Sequence, residues 1–366
     1  MLDPPPLFFP RDLLPRDFSP AICMIMACAP KLHVLQTIKG YRMQGKILVT
    51  GGAGYIGSHV VYSLCDAGYD VVIFDNMSLG RRENIDPRAH FIEGDILSVE
   101  DLNEAFDRDI QVVFHFAAWK AAGESMSVPE KYAHNNISGT ISLLDRMVAY
   151  KVRNLVFSSS AAVYGDPLFL PVDENHPTNP ANYYGYTKLA IEHNLEWFDR
   201  LKGIRYAALR YFNATGYDVN GRVRGKEKNP ANLCPVVMEV AAGIRNGMQV
   251  YGEDYDTADG TCIRDYIHVS DLADAHLKAM DYLLAQKKSL VTNLGTGTGH
   301  SVLEMIQTAR EVTGRDIPYE IVDRRPGDTQ ELVASSDQAF KVLNWRARYS
   351  DLRTIFETMA RVYLNS

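Results

Sequence analysis

Tyr184 and Lys188 stand four positions apart in the run Tyr184-Gly185-Tyr186-Thr187-Lys188, a spacing that puts both side chains on one face of a helix. A phenol alone loses its proton only at about pH 10, too high for a base at neutrality. A neighbouring ammonium favours the phenolate, and a cationic ring bound beside it would favour it further. Held next to a substrate hydroxyl, the pair is a usable general base. The same pattern also describes a solvated helix face, so its surroundings have to decide.

The first of those surroundings is Lys46-Ile47-Leu48-Val49-Thr50-Gly51-Gly52-Ala53-Gly54-Tyr55-Ile56-Gly57. A β-branched apolar run ends in glycines, and a helical pattern follows through Ile56, Val60, Val61 and Leu64. This is a strand, a tight turn and a helix start. Gly51 and Gly54 let the backbone approach a pyrophosphate, and Gly57 lets the helix pack close to the strand. Phosphates sit well on the free amides of such a helix. A second strand, 70–74, ends at Asp75, placed to accept hydrogen bonds from an adenosine ribose and to repel a 2′-phosphate. NAD is the dinucleotide this arrangement favours.

The chain of 366 residues can bury a large core and is long for one simple domain. A net charge of −7, with no basic run or interleaved aromatics, argues against nucleic acid as a partner. The five cysteines are scattered without a Cys-x-x-Cys pair, which suits a reducing, cytoplasmic setting and gives no zinc site. The histidines show no ligand spacing, so no metal is expected; His115, inside an apolar run, reads as a core histidine. No stretch is long enough to span a membrane. Residues 1–42 are proline-rich and aperiodic, which suggests a disordered extension with Met43 as the natural start. An apolar stretch at 21–29 resembles a signal peptide, but Asp3, Asp12 and Asp17 occupy its basic region.

From Lys46 onward, strand candidates 46–50, 70–74, 89–93, 111–116, 153–158 and 205–211 alternate with helices starting near 55, 99, 129 and 183. That alternation predicts an α/β protein with a Rossmann-type, doubly wound parallel sheet over 43–212. Residues 213–366 read as a predominantly substrate-binding, smaller mixed α/β domain, with helices near 230–246 and 270–285. Ligands of such sheets bind beyond the carboxyl ends of the strands. The segments to examine there are Asp95-Ile96, Ala117-Ala118-Trp119-Lys120, Ser158-Ser159-Ser160 and Arg210-Tyr211-Phe212-Asn213. Asp95 could take an adenine amino group, and a hydroxyl among the three serines could hold a substrate oxygen beside Tyr184.

Thr-Gly-Gly-Ala-Gly-Tyr-Ile-Gly at 50–57, Asp75-Asn76, the three serines, Tyr-x-x-x-Lys and Arg-Tyr-Phe-Asn at 210–213 together resemble the extended short-chain dehydrogenase/reductases. Lys120-Ala121-Ala122-Gly123-Glu124-Ser125, Asn232-Leu233, the run from Asp259 to Val269 and Arg324-Arg325-Pro326-Gly327-Asp328 narrow the resemblance to members acting on UDP-sugars. It covers the chain from about Met43 onward. The resemblance implies Tyr184 as base, Lys188 on the nicotinamide ribose and Ser160 on the sugar 4-oxygen. It implies cofactor contacts from Gly51, Gly54, Tyr55, Ile56, Gly57, Asp75, Asn76, Asp95, Ile96, Phe116, Ala117, Ala118, Lys120, Asn135, Ser158, Tyr184, Lys188 and Tyr211. Substrate contacts would come from Lys120, Phe212, Asn213, Asn232, Leu233, Val250, Tyr251, Arg264, Tyr266, Arg325, Asp328 and Leu332. The implied reaction inverts carbon four of a UDP-hexose through a transient 4-keto sugar, interconverting UDP-galactose and UDP-glucose. UDP-pentoses or UDP-N-acetylhexosamines would follow the same chemistry, and Leu332 falls where relatives differ in size. A 4,6-dehydratase would need an Asp-Glu pair where this chain has Ala161-Ala162. A nucleotide-sensing regulator would be expected to lose the base. Relatives commonly form homodimers through two helices, for which 101–107 and 129–150 are candidates.

Overall fold

The computed structural model describes residues 45–228, 230–325 and 328–365. The 1–42 extension and the expected start at Met43 lie outside the described residues, as do Pro326 and Gly327.

Seven short apolar runs form one parallel sheet. They are β1 (Lys46–Thr50), β2 (Val71–Asp75), β3 (His90–Glu93), β4 (Ile110–His115), β5 (Asn154–Ser160), β6 (Arg205–Tyr211) and, far along the chain, β10 (Leu290–Leu294). Their order is β10-β6-β5-β4-β1-β2-β3. β2 is buried throughout, as a strand covered by helices on both faces should be. The order reverses between β4 and β1, and that switch point is where open α/β sheets bind ligands. Register brings the strand ends level: Thr50 lies opposite Phe74 and His115, and Ser160 opposite Tyr211.

One face of the sheet carries α2 (Val99–Phe106), α3 (Gly139–Ala149) and α4 (Tyr183–Lys202). Leu102, Leu143, Ile191 and Leu195 close there over Leu48, Val72, Val113 and Leu155 in one core. α1 (Tyr55–Asp66) packs against α6 (Val269–Gln286). α4 has clear boundaries. Asn182 caps its start by accepting from Gly185 N at 2.9 Å, and Gly203 ends it in a left-handed conformation.

The remaining strands are short. β7 (Asn213–Thr215), β11 (Gly299–Ser301) and β13 (Glu331–Leu332) each pair with β9 (Ile263–His268), while β8 (Met248–Tyr251) pairs with β12 (Tyr319–Val322). A second core joins α5 (Leu233–Ala241), α7 (Val302–Thr313) and α8 (Leu352–Tyr363). β10 and α6 both follow residue 213, yet β10 extends the large sheet and α6 packs on it.

Two local features differ from the sequence expectation. β5 runs on to Ser160 because Ser159 and Ser160 continue the pairing with Arg210 and Tyr211. The helix expected from 129 is broken into Pro129–Tyr132, a widened helical turn over Ala133–Ser138, and α3. Widened turns of this kind cluster at functional sites, and this one carries Asn135.

Candidate active site

A cavity of about 350 Å3 opens at the carboxyl ends of β1, β2, β4, β5 and β6, within the usual range for a small-molecule site. Gly51 enters it at φ +73, and a Cβ there would lie 2.7 Å from Ala117 N. A Cβ on Gly57 would lie 2.3 Å from Gly51 O. Only glycine permits this turn and this helix approach. α1 starts at the cavity with Gly54 in the capping position, so no side chain satisfies its first amides. That is a fitting seat for a diphosphate, and the residues present fit the dinucleotide that the glycine pattern implied.

Asp75 ends β2 beside this turn. Its carboxylate accepts from Ala53 N at 3.0 Å and Met77 N at 2.9 Å, and burial raises its pKa. It shapes the loop that lines the cavity and keeps acceptor capacity for a hydroxyl pair. Asn76 lines the cavity too, but Asp95 does not. The Asp95 oxygens accept instead from Asn76 Nδ2 at 2.9 Å and Leu97 N at 2.9 Å, so Asp95 braces Asn76. Ile96, Phe116, Ala117, Ala118, Lys120 and Asn135 are all on the wall, as are Tyr55, Ile56, Ser158 and Tyr211. Ser158 and Tyr211 share a short hydroxyl–hydroxyl contact.

Tyr184, Lys188 and Ser160 converge on the same cavity. Close approach of α4 to the strand end makes this possible: a Cβ on Gly185 would be 2.3 Å from Ala162 O. Ser125 Oγ accepts from Tyr184 N at 3.0 Å and fixes the first turn. Ser160 Oγ accepts from Ala162 N at 3.1 Å, and its hydroxyl bonds the Tyr184 phenol. Lys188 Nζ donates to Ser158 O at 2.7 Å and lies 5.8 Å from the Tyr184 ring centre. Burial pushes Tyr184 up to about 12, with the Ser160 bond opposing it. Burial also lowers Lys188 to about 7, against the pull of Glu192. Desolvation is the larger cause for both groups.

The expected substrate residues fall into two groups. Phe212, Asn213 and Asn232 line the cavity, and the Asn232 side chain makes no capping bond to α5. Leu233, Val250, Tyr251, Arg264, Tyr266, Arg325, Asp328 and Leu332 do not line it. Val250 and Tyr266 are buried in the second core, with Leu233 packed against it. Arg264 pairs with Asp328 at 3.9 Å, and the Arg325 guanidinium stacks 3.6 Å from the centre of the Tyr251 ring. Asn213 links the groups, donating to Asp265 O at 3.0 Å between Arg264 and Tyr266. Leu332 packs with Ala161 and Phe212 beside the catalytic turn.

Sequence reading missed part of the wall: Ser78 to Arg81 and Asn84, and Gly225 to Lys228. The first five follow a strand end and were within reach of the rule that located Asp75 and Lys120. Gly225 to Lys228 follow no strand of the large sheet and carried no such signal. His115 is the buried core histidine expected, its ring nitrogens bonded to Thr50 Oγ1 at 2.7 Å and Thr140 Oγ1 at 2.8 Å. Among the described residues no helix is long and apolar enough to cross a membrane.

A doubly wound sheet with an uncapped glycine turn, an acid at the end of the second strand and a Ser-Tyr-Lys set on one cavity defines an enzyme of the dinucleotide-dependent Rossmann class. The chain belongs to the NAD dependent epimerase/dehydratase family, whose pattern matches residues 47–295. It is 46% identical over 314 residues to a UDP-glucose 4-epimerase of Lacticaseibacillus casei, spanning 85% of this chain and 95% of that one. The fold matches the UDP-glucose 4-epimerase of Brucella ovis in complex with NAD, with a TM-score of 0.85, 44% identity and coverage of 87% and 98%. The UDP-glucose 4-epimerase of Bifidobacterium longum, in complex with NAD+ and UDP, matches with a TM-score of 0.82, 39% identity and coverage of 87% and 97%.

Proposed function

We infer that this protein is an NAD-dependent isomerase that inverts carbon four of a UDP-hexose, interconverting UDP-galactose and UDP-glucose. The observation that carries the reading is the convergence of Tyr184, Ser160 and Lys188 on the cavity that also holds the uncapped start of α1. Relatives at this similarity carry the same activity in their names.

Direct deprotonation at carbon four is blocked, since no adjacent carbonyl acidifies that C–H bond. Bound NAD supplies the hydride acceptor, and in its oxidised form a positive charge that favours the Tyr184 phenolate. Tyr184 Oη takes the proton of the 4-hydroxyl as hydride leaves carbon four, and returns it when hydride comes back to the other face of the keto sugar. Ser160 holds the 4-oxygen through both halves. Lys188 binds the nicotinamide ribose. By the resemblance, Asn213 and Asn232 on the cavity wall and Arg264, Arg325 and Asp328 outside it would hold the UDP part, so that the sugar can turn while affinity is kept. Ala162 lines the cavity and Ala161 is buried beside it. No carboxylate stands at these two positions for a dehydratase step.

The finer parts of the reading are a homodimer and a cytoplasmic setting. Of the two helix segments expected to pair, 101–107 buries Leu102, Ala105 and Phe106 in the chain's own core. Tyr186, Trp197 and Leu201 of α4 remain exposed and form the better face for a second copy. Light scattering at graded concentrations tests the dimer.

Incubation with UDP-galactose, UDP-N-acetylgalactosamine and UDP-arabinose separately, with products resolved by chromatography, tests the reaction and its breadth. UDP-glucose should form from UDP-galactose without lasting NADH absorbance. Stoichiometric NADH or an accumulating keto sugar would assign a dehydrogenase or dehydratase instead.

A further inference from the structure

Gly225 to Lys228 line the cofactor cavity although they follow no strand of the large sheet. β1 lies between β4 and β2 in the sheet. Lys228 Nζ donates to Met77 O at 3.1 Å and Ser78 O at 3.2 Å, in the loop that follows β2. Its neighbour Glu227 forms an ion pair with Lys120, which follows β4. Two consecutive residues therefore grip both flanks of the glycine turn at the end of β1.

The rest of the segment is tied to the β2 side. Arg81 Nε donates to Lys226 O at 2.8 Å, and buried Asn84 accepts from Gly225 N at 2.6 Å. The Arg81 backbone in turn donates to Ala53 O at 3.0 Å, inside the glycine turn itself. Upstream, the Tyr55 hydroxyl at the start of α1 bonds Gly216 O. The segment thus runs along the cavity from the loop after β2 to Lys120, beside the start of α1 where a diphosphate would rest.

We propose that residues 225–228 form a clasp over the cofactor cleft, anchored on Asn84 and Arg81, that makes NAD a retained group rather than an exchanged one. This rests on the NAD reading above. Retention has a chemical purpose in that reaction, because hydride taken from the sugar must return from the same cofactor. An exchanging cofactor would leave with its hydride and strand the keto sugar. A dinucleotide lying along the ends of β2, β1 and β4 leaves only after the Lys228, Glu227 and Asn84 contacts part. The clasp should thus govern the dissociation rate.

The test is the rate of NAD loss from the full chain during buffer exchange, read as NAD extracted per chain. Gly225→Ala places a Cβ 2.5 Å from Asn84 Oδ1 and 2.8 Å from Arg81 Cβ, wedging the clasp off its anchor. Asn84→Leu removes the anchor's polar atoms, and Lys228→Met removes one grip with little change in bulk. Each should release NAD faster, by about tenfold or more for the first two, and excess NAD should refill them. Release within about twofold of the wild-type rate in all three would overturn the clasp. If Gly225→Ala or Asn84→Leu fails to fold, Lys228→Met decides by the same criterion. A wild-type chain that neither carries nor takes up NAD would sink the cofactor reading itself, whereas retention in wild type and variants alike sinks only the clasp.

Discussion

Lys188 Nζ donates to the carbonyl oxygen of Ser158 at 2.7 Å, tying the second turn of α4 to the last residues of β5. Tyr184 stands one turn before Lys188, and Ser160 two residues after Ser158. With the Gly185 approach to Ala162, this bond helps set the distance between the proposed base and the hydroxyl that holds the substrate oxygen. Four predictions follow from how this junction and its surroundings are built.

Tyr184→Phe removes one hydroxyl and keeps the ring. Turnover should fall by about a hundred- to ten-thousand-fold or more, the usual weight of general base catalysis. NAD content after purification should match wild type. Activity within a factor of a few of wild type would place the base elsewhere.

Lys188→Met should slow turnover and weaken NAD retention together, unlike Tyr184→Phe. It should also change the pH dependence of stability. The folded chain releases the Lys188 proton at about 7, against 10.5 for an ordinary lysine. Between those values the unfolded chain holds more protons, so wild-type stability rises with pH across the window. The methionine variant lacks this cost. Its melting temperature relative to wild type should be highest at or below about pH 7 and decline toward pH 10.

Gly185→Ala would put a Cβ 2.3 Å from Ala162 O. α4 or the turn after β5 must yield, which separates Tyr184 from Ser160. We expect a clear loss of kcat with the overall fold kept, read by steady-state kinetics beside circular dichroism. Undiminished kcat would show that the helix approach does not set the site.

Acid should destabilise the protein before its carboxylates titrate. Burial lowers His115 and His268 to about 3, and His59 and His276 to about 4, from 6.5. Above pH 6.5 these rings are neutral folded or unfolded, and their contribution is complete. As pH falls through 6.5 toward those values the unfolded chain takes up protons first, so stability drops. Thermal melts from pH 7 to 4.5 should show a steep fall, and a flat profile would contradict the buried neutral rings.

The local sequence carried the large sheet and the centre of the site, because each depends on short-range pattern. Short apolar runs placed β1 to β6, with β5 extended to Ser160 only by its pairing with β6. The glycine turn, Asp75 and Tyr-x-x-x-Lys work through spacings that a strand, a turn and a helix fix by themselves. Tertiary structure decided whatever depends on packing between distant segments. Burial raises the Tyr184 phenol although its neighbour is a lysine, since desolvation is set by everything around the pair. Asp95 turns to Asn76, and Val250 and Tyr266 go into the second core. The clasp from Gly225 to Lys228 meets Asn84 across 141 positions, and no periodicity or motif can encode which polar loop will close over a cleft that the rest of the chain has to build first.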